Sequence, residues 1–313
     1  MDLAREDNDA ARLAIAHRAL GRSIQIAGMQ ADADELLATG ATLADSVADA
    51  EFTAYSEHPG IICLAYRGQL RCLRGFLDDA ARLAETAVGR ARMLYSPFIL
   101  AWSLTVAAQT HLFRRDACAA ERASREAIAL SREHRLPQWM AFGQQCLGRV
   151  LCQQGDWRGG IELQREAMDN LHAAGSLLHT TRLQLHLAES LLAIGDVDQT
   201  RLHLNAAFAH LQTHGEAYLA SELHLVKLKL LKAEEAPNEA LNKPIQMGLD
   251  IARCQGAHLL ELRLAAWIAG MWRDLGMPEE AYDLLAPVYG WFTEGFDTAD
   301  LQEAKALLDE LSA

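Results

Sequence analysis

The sequence is poor in the features that most readily announce a chemistry. No apolar run approaches the roughly 18 residues that a membrane-spanning helix needs, and neither a G-x-x-x-x-G-K-[ST] loop nor a G-x-G-x-x-G turn is present to cradle phosphates. No H-E-x-x-H occurs, and the six cysteines (Cys63, Cys72, Cys118, Cys146, Cys152 and Cys254) include no C-x-x-C pair. Most sit in apolar helical contexts and read as buried free thiols of a reducing compartment. Aromatic residues make up only 6% of the chain. A composition led by Ala and Leu suits close helix packing and suits strands poorly. The net charge of −13 repels phosphate backbones and anionic lipid, which argues against nucleic acid and membrane surfaces as partners. The stretch Met1-Asp2-Leu3-Ala4-Arg5-Glu6-Asp7 is charged and lacks the apolar centre of a signal peptide, so a cytoplasmic location is expected.

What is present is a repeat. Leu147, Leu151, Gly155-Asp156, Ala167, Leu171 and Gly175 recur 40 residues later as Leu187, Leu191, Gly195-Asp196, Ala207, Leu211 and Gly215. A fixed period of that length marks a helical repeat array. Interhelical turns are predicted near residues 28, 75, 115, 155, 195, 235 and 276, and the last five spacings are 40 or 41. Gly175, Gly215 and Gly256 mark the ends of second helices, where a left-handed cap favours glycine. Ala87, Ala127, Ala167 and Ala207 keep a small residue where neighbouring helices approach. Pro97 and Pro137 stand at helix starts, the position proline tolerates. In the first helix Leu13, Ala16, Leu20 and Ile24 form the apolar stripe, and Gly28 stops it. A second helix is expected over Ala31–Ala48, followed by a longer connection over Asp49–Gly60. The sixth turn is replaced by the polar loop Ala233–Asn238. At the end Thr298 is the expected N-cap of a last helix, with Leu301, Ala304, Leu308 and Leu311 on one face.

The expected organisation is a flexible segment over residues 1–9, a repeat array over 10–292, and a loop with a capping helix over 293–313. No repeat can bury its own apolar face, so stacking supplies the core.

The tail from Leu285-Ala286-Pro287-Val288-Tyr289-Gly290-Trp291-Phe292 through Leu311 resembles the C-terminal end of large bacterial signalling proteins. Those carry a class III adenylate/guanylate cyclase domain, a STAND-type (AAA-like) ATPase module and then tetratricopeptide-like repeats. His58–Tyr66 and Ser221–Leu228 resemble other recurrent segments of the same repeat region. This chain has neither the phosphate loop nor a cyclase domain, so the resemblance implies only the repeat region's role, regulation or sensing by binding. The fold expected is an all-α, right-handed superhelical solenoid of about seven tetratricopeptide-like helix pairs with a C-terminal capping helix.

No catalytic residue, metal ligand or cofactor is assigned. Gly159-Gly160 reads as close packing rather than a phosphate cradle. His210 and His214 have the spacing of two ligands, but no carboxylate or cysteine stands at a supporting spacing, and His179 and His186 likewise read as exposed or groove-lining histidines. In stacked helix pairs the first helix of each repeat lines the inside of the superhelix. Polar, aromatic and charged residues there are the candidates for contact: Trp102, Gln109, Trp139, Gln145, Arg182, His186, His224, Lys227, Arg263 and Trp267. The function expected is a non-catalytic module that holds a protein or peptide segment in its concave groove. A cyclase or ATPase module, in cis or in trans, is one such partner. The alternative is a sensor of a small molecule, a sugar or nucleotide-like ligand, that changes shape or self-association into a homo-oligomer.

Overall fold

In a computed structural model of the chain the described residues are 9–49, 51–52 and 57–312. The expected flexible segment lies outside them except for Asp9, and so does part of the expected connection over Asp49–Gly60. Fifteen helices follow one another among the described residues: α1 (Ala10–Ile26), α2 (Gln30–Asp45), α3 (Pro59–Leu73), α4 (Leu77–Met93), α5 (Pro97–Phe113), α6 (Ala117–Glu133), α7 (Pro137–Gln153), α8 (Trp157–Ala173), α9 (Thr180–Ala193), α10 (Val197–His214), α11 (Ala220–Ala233), α12 (Glu239–Gln255), α13 (His258–Asp274), α14 (Pro278–Tyr289) and α15 (Ala299–Leu311). They pack in pairs, odd against even, with further contacts between successive odd helices such as α5 with α7 and α11 with α13. Contacts divide the chain into two compact units. One runs to Ser176 apart from Leu73–Asp78; the other comprises Leu73–Asp78 and the chain from Leu177 onward.

The turns explain the period. In the α7–α8 turn Gly155 adopts φ +93°, the amide of Asp156 donates to the carbonyl of Leu151, and the Asp156 side chain accepts from the amide of Gly159 at 3.0 Å. The glycine therefore closes one helix and the aspartate opens the next. Asp116 and Asp196 cap their helices in the same way, at 3.0 and 3.1 Å. The left-handed residue need not be glycine. Arg115 (φ +59°) and Glu235 (φ +54°) occupy the position held elsewhere by Gly75, Gly155, Gly195 and Gly276. At the joins between pairs Tyr95 (φ +51°) and Arg135 (φ +55°) occupy the position of Gly175, Gly215 and Gly256. For an L residue that conformation costs about 1–2 kcal/mol.

Small residues let the paired helices close. A Cβ on Gly160 would lie 2.5 Å from the carbonyl oxygen of Gly148 and 2.5 Å from the sulfur of Cys152. The Gly159-Gly160 dipeptide is thus a packing device. Ala80 and Ala120 precede Gly160 at the same 40-residue register, and Ala87, Ala127, Ala167 and Ala207 are all fully buried.

Three local expectations change. Pro59 and Gly60 form the first turn of α3 instead of a loop, since proline is favoured at that position. Thr298 stands at the N-cap of α15, but its hydroxyl turns back to donate to the carbonyl of Gly295 at 2.6 Å. In α1 the buried face is rotated: Leu20 is exposed, whereas Arg22 and Gln25 are buried. The cause is a polar partner on α3, described below.

Within the second unit the Leu73–Asp78 segment is held by the C-terminal turn. Trp291 meets the ring of Phe76 edge-on at 5.4 Å and stacks on His258 at 3.7 Å. The Asp78 amide donates to Glu294, and the Gly295 amide donates to the Asp78 carboxylate. Leu301, Ala304 and Leu308 of α15 are buried, as their spacing predicts, where the helix packs on α13 and α14.

Gly160→Ala is expected to cost roughly 1–3 kcal/mol, because backbone faces the added methyl. Gly89→Ala, in open space on α4, should instead gain up to about 1 kcal/mol. Urea unfolding of both variants checks the contrast.

Candidate functional site

In the first unit the odd helices bring together an aromatic face. Trp102 of α5 and Trp139 of α7 stack with ring centroids 5.0 Å apart and planes 26° from parallel. Phe98, in the first turn of α5, meets both indoles edge-on at 5.8 and 5.9 Å. Phe142 closes the far side of Trp139 at 6.0 Å. The Trp102 indole N–H donates to the Tyr66 hydroxyl at 2.9 Å, which fixes that ring. Arg18 of α1 lies over Trp102 at 6.0 Å while paired with Glu57. Trp102 and Trp139 are half-buried, and Phe98 reaches solvent. The result is a rigid aromatic shelf with one edge open.

Behind the shelf runs a buried chain of amides. Arg22 lies over the Tyr66 ring at 4.1 Å and donates to Gln25 (2.9 Å) and Gln69 (3.1 Å). Gln69 in turn donates to the carbonyl oxygen of Gln109 at 2.7 Å. Four polar side chains on three helices thereby satisfy one another away from water, the condition on which polar groups are buried at all.

The ten residues singled out by sequence divide accordingly. Trp102 and Trp139 come together, and Gln109 joins the amide chain behind them. Gln109, Gln145, Arg182, His186 and His224 are buried, not open to a groove. The pattern misplaces them because odd helices are enclosed on most sides, so a polar residue there is as readily internal as exposed. Lys227 is exposed and sits 5.7 Å over the ring of Phe208. Trp267 lies in mid-helix, half-buried against the cluster of Leu225, Leu228, Leu264 and Ile268. Arg263 bridges three helices, donating to Glu222 on α11 (3.1 Å) and Asp300 on α15 (2.9 and 3.1 Å). Tyr66, Phe98, Phe142, Arg18 and Arg22 escape the sequence reading. Phe98, four residues before Trp102, follows ordinary helical patterning.

The histidine pairs have structural partners. His210 stacks on His214 at 4.1 Å and its Nδ1 lies 2.9 Å from the hydroxyl of Thr181. Beside them the buried carboxylate of Glu216 accepts from the amides of His179 (2.6 Å) and Thr181 (2.9 Å). It caps α9 from a distant point in the sequence, where unpaired amides and the helix dipole favour an anion. Among the described residues no group of three or more His, Cys, Asp or Glu side chains is placed to hold a metal ion. None of the helices is long and apolar enough to cross a membrane.

Three solved structures share this arrangement. A Rap protein complexed with Competence and Sporulation Factor superposes with a TM-score of 0.61 at 12% identity, over 90% of this chain and 72% of that one. The apo form of RapI gives 0.58 at 8% identity, over 88% and 93%. Aspartyl phosphate phosphatase F from Bacillus subtilis gives 0.51 at 12% identity, over 99% and 73%. The fold is that of the tetratricopeptide-like helical repeat proteins. At these identities the likeness speaks for the fold alone. No protein-family model matches the sequence, and no curated protein matches it significantly.

Removal of the Glu216 carboxylate by Glu216→Ala strands two buried amides and is expected to cost about 2–3 kcal/mol in urea unfolding. A second expectation concerns pH. Burial, and then the charge of Lys227, push the pKa of His224 down from 6.5 to about 4. Burial likewise lowers that of His111, against the opposing pull of Asp116. Between those values the unfolded chain binds more protons than the folded one, so stability present above pH 6.5 is lost as pH falls toward about 4. His224→Gln should flatten that part of the stability–pH curve, measured by urea midpoints across the range.

Proposed function

We propose that the chain is a non-catalytic binding module that holds a protein or peptide segment against the odd-helix face of its first unit. The observation that carries this reading is the stacked pair Trp102–Trp139, locked by the Tyr66 hydroxyl and open along Phe98. Rigid aromatic side chains that are only half-covered are the commonest anchors of protein interfaces. The Rap protein solved with Competence and Sporulation Factor supports a binding role for this type of fold. The resemblance of the Leu285–Leu311 tail favours a place in a bacterial signalling protein, with a cyclase or ATPase module in cis or in trans as one partner. A small-molecule sensor is less well supported. One cleft, lined by Asp49, Phe52, Glu57, His58, Leu94, Ser96 and Ile99, measures ≈ 250 Å³ and uses none of the ten residues.

The test is selection of peptides from a displayed random library on the full chain, followed by titration of the selected peptides. Trp102→Ala and Trp139→Ala are each expected to weaken binding about tenfold or more while the helical circular dichroism is retained. Unchanged affinity in both variants would sink the reading.

A further inference from the structure

Three observations converge on the rim of the aromatic shelf. The first is exposure without packing. Met93 and Tyr95, at the α4–α5 join, are 70% and 93% exposed, and Phe98 follows them at the open edge of Trp102 and Trp139. In the next repeat the positions 40 residues on are Glu133, Arg135 and Gln138, so the apolar trio belongs to this join and not to the repeat pattern.

The second observation is backbone strain. Tyr95 and Arg135 hold the left-handed conformation at the register where Gly175, Gly215 and Gly256 close the later joins. Both side chains are exposed, so neither is held there by the core.

The third is charge. Arg132 and Arg135, at the α6–α7 join just before Trp139, are exposed and carry no ion pair among the described residues. Glu126, on the same helix as Arg132, is bound by Arg92 at 2.7 Å. The two guanidinium groups lie three residues apart in sequence, on a chain of net charge −13. Phe98 and Trp139 are in ring contact, so the two joins that precede them lie side by side.

From these we infer that the rim formed by Tyr95, Phe98, Arg132, Arg135 and Trp139 docks an acidic peptide segment that carries an aromatic side chain. The aromatic side chain lies on Phe98 and Trp139 against Tyr95, and flanking carboxylates pair with Arg132 and Arg135. This inference rests on the reading of the odd-helix face as a binding surface and adds the chemistry of what it binds.

Fluorescence anisotropy of the full chain with a labelled peptide of Asp, Glu and Ser bearing one Trp tests it. Two control peptides replace the acids by Lys or the Trp by Ser. The acidic Trp peptide is expected to bind saturably and both controls about tenfold more weakly. Tyr95→Gly and Arg135→Gly should each weaken the acidic Trp peptide about tenfold while the melting temperature rises or holds, because glycine relieves the strain. A variant that binds worse and melts no lower separates docking from folding. The inference is overturned if the acidic Trp peptide fails to saturate, if a control binds as well, if the glycine variants bind unchanged, or if they melt lower. Should library-selected peptides still depend on Trp102 and Trp139 in that event, only the chemistry assigned to the rim fails, and the binding face stands.

Discussion

The α3–α4 and α7–α8 hairpins close at a place where the backbones meet and no side chain fits. In the α7–α8 pair two glycine backbones meet directly, Gly148 against Gly160. In α3–α4 a Cβ on Gly68 would stand 3.1 Å from the carbonyl of Ala80. This approach fixes how far these two pairs can close. The aromatic shelf and the amide chain behind it reach across these pairs, from one odd helix to the next.

Packing of this kind leaves little room for loops, and the turns are correspondingly economical. One left-handed residue ends a helix, and the aspartate after it supplies the first hydrogen bond of the next. That local economy is why the fold was legible. The period, the positions of the turns, the proline-led helix starts and the buried face of α15 follow from residues within a few positions of one another. The left-handed state of Arg115, Glu235, Tyr95 and Arg135 is not visible in their identities, but it is implied by their register with the glycines 40 residues away.

The site was less legible because its interactions join residues far apart in sequence. Arg22 and Gln25 look like the solvent face of α1 until Gln69, more than 40 residues on, gives them partners. The same holds for Glu216, whose role as a cap for α9 depends on a chain reversal that no spacing rule describes. Trp102 and Trp139 were recognisable as candidates by type. Their stacking was not, because it requires α5 and α7 to be neighbours at one height. Buried polar residues on an otherwise apolar helix are therefore the weak point of a pattern-based reading.

The amide chain has a further property, which is direction. Gln69 spends its oxygen on Arg22 and Gln25 and its nitrogen on Gln109, so donors all point one way along α1, α3 and α5. A later repeat copied into this place would arrive with Arg149, Glu189 or Lys229 at the corresponding position and would break the sequence of donors. The modular freedom that repeat proteins ordinarily enjoy, to lengthen or shorten by unequal exchange of equivalent units, is thus closed to this end of the molecule.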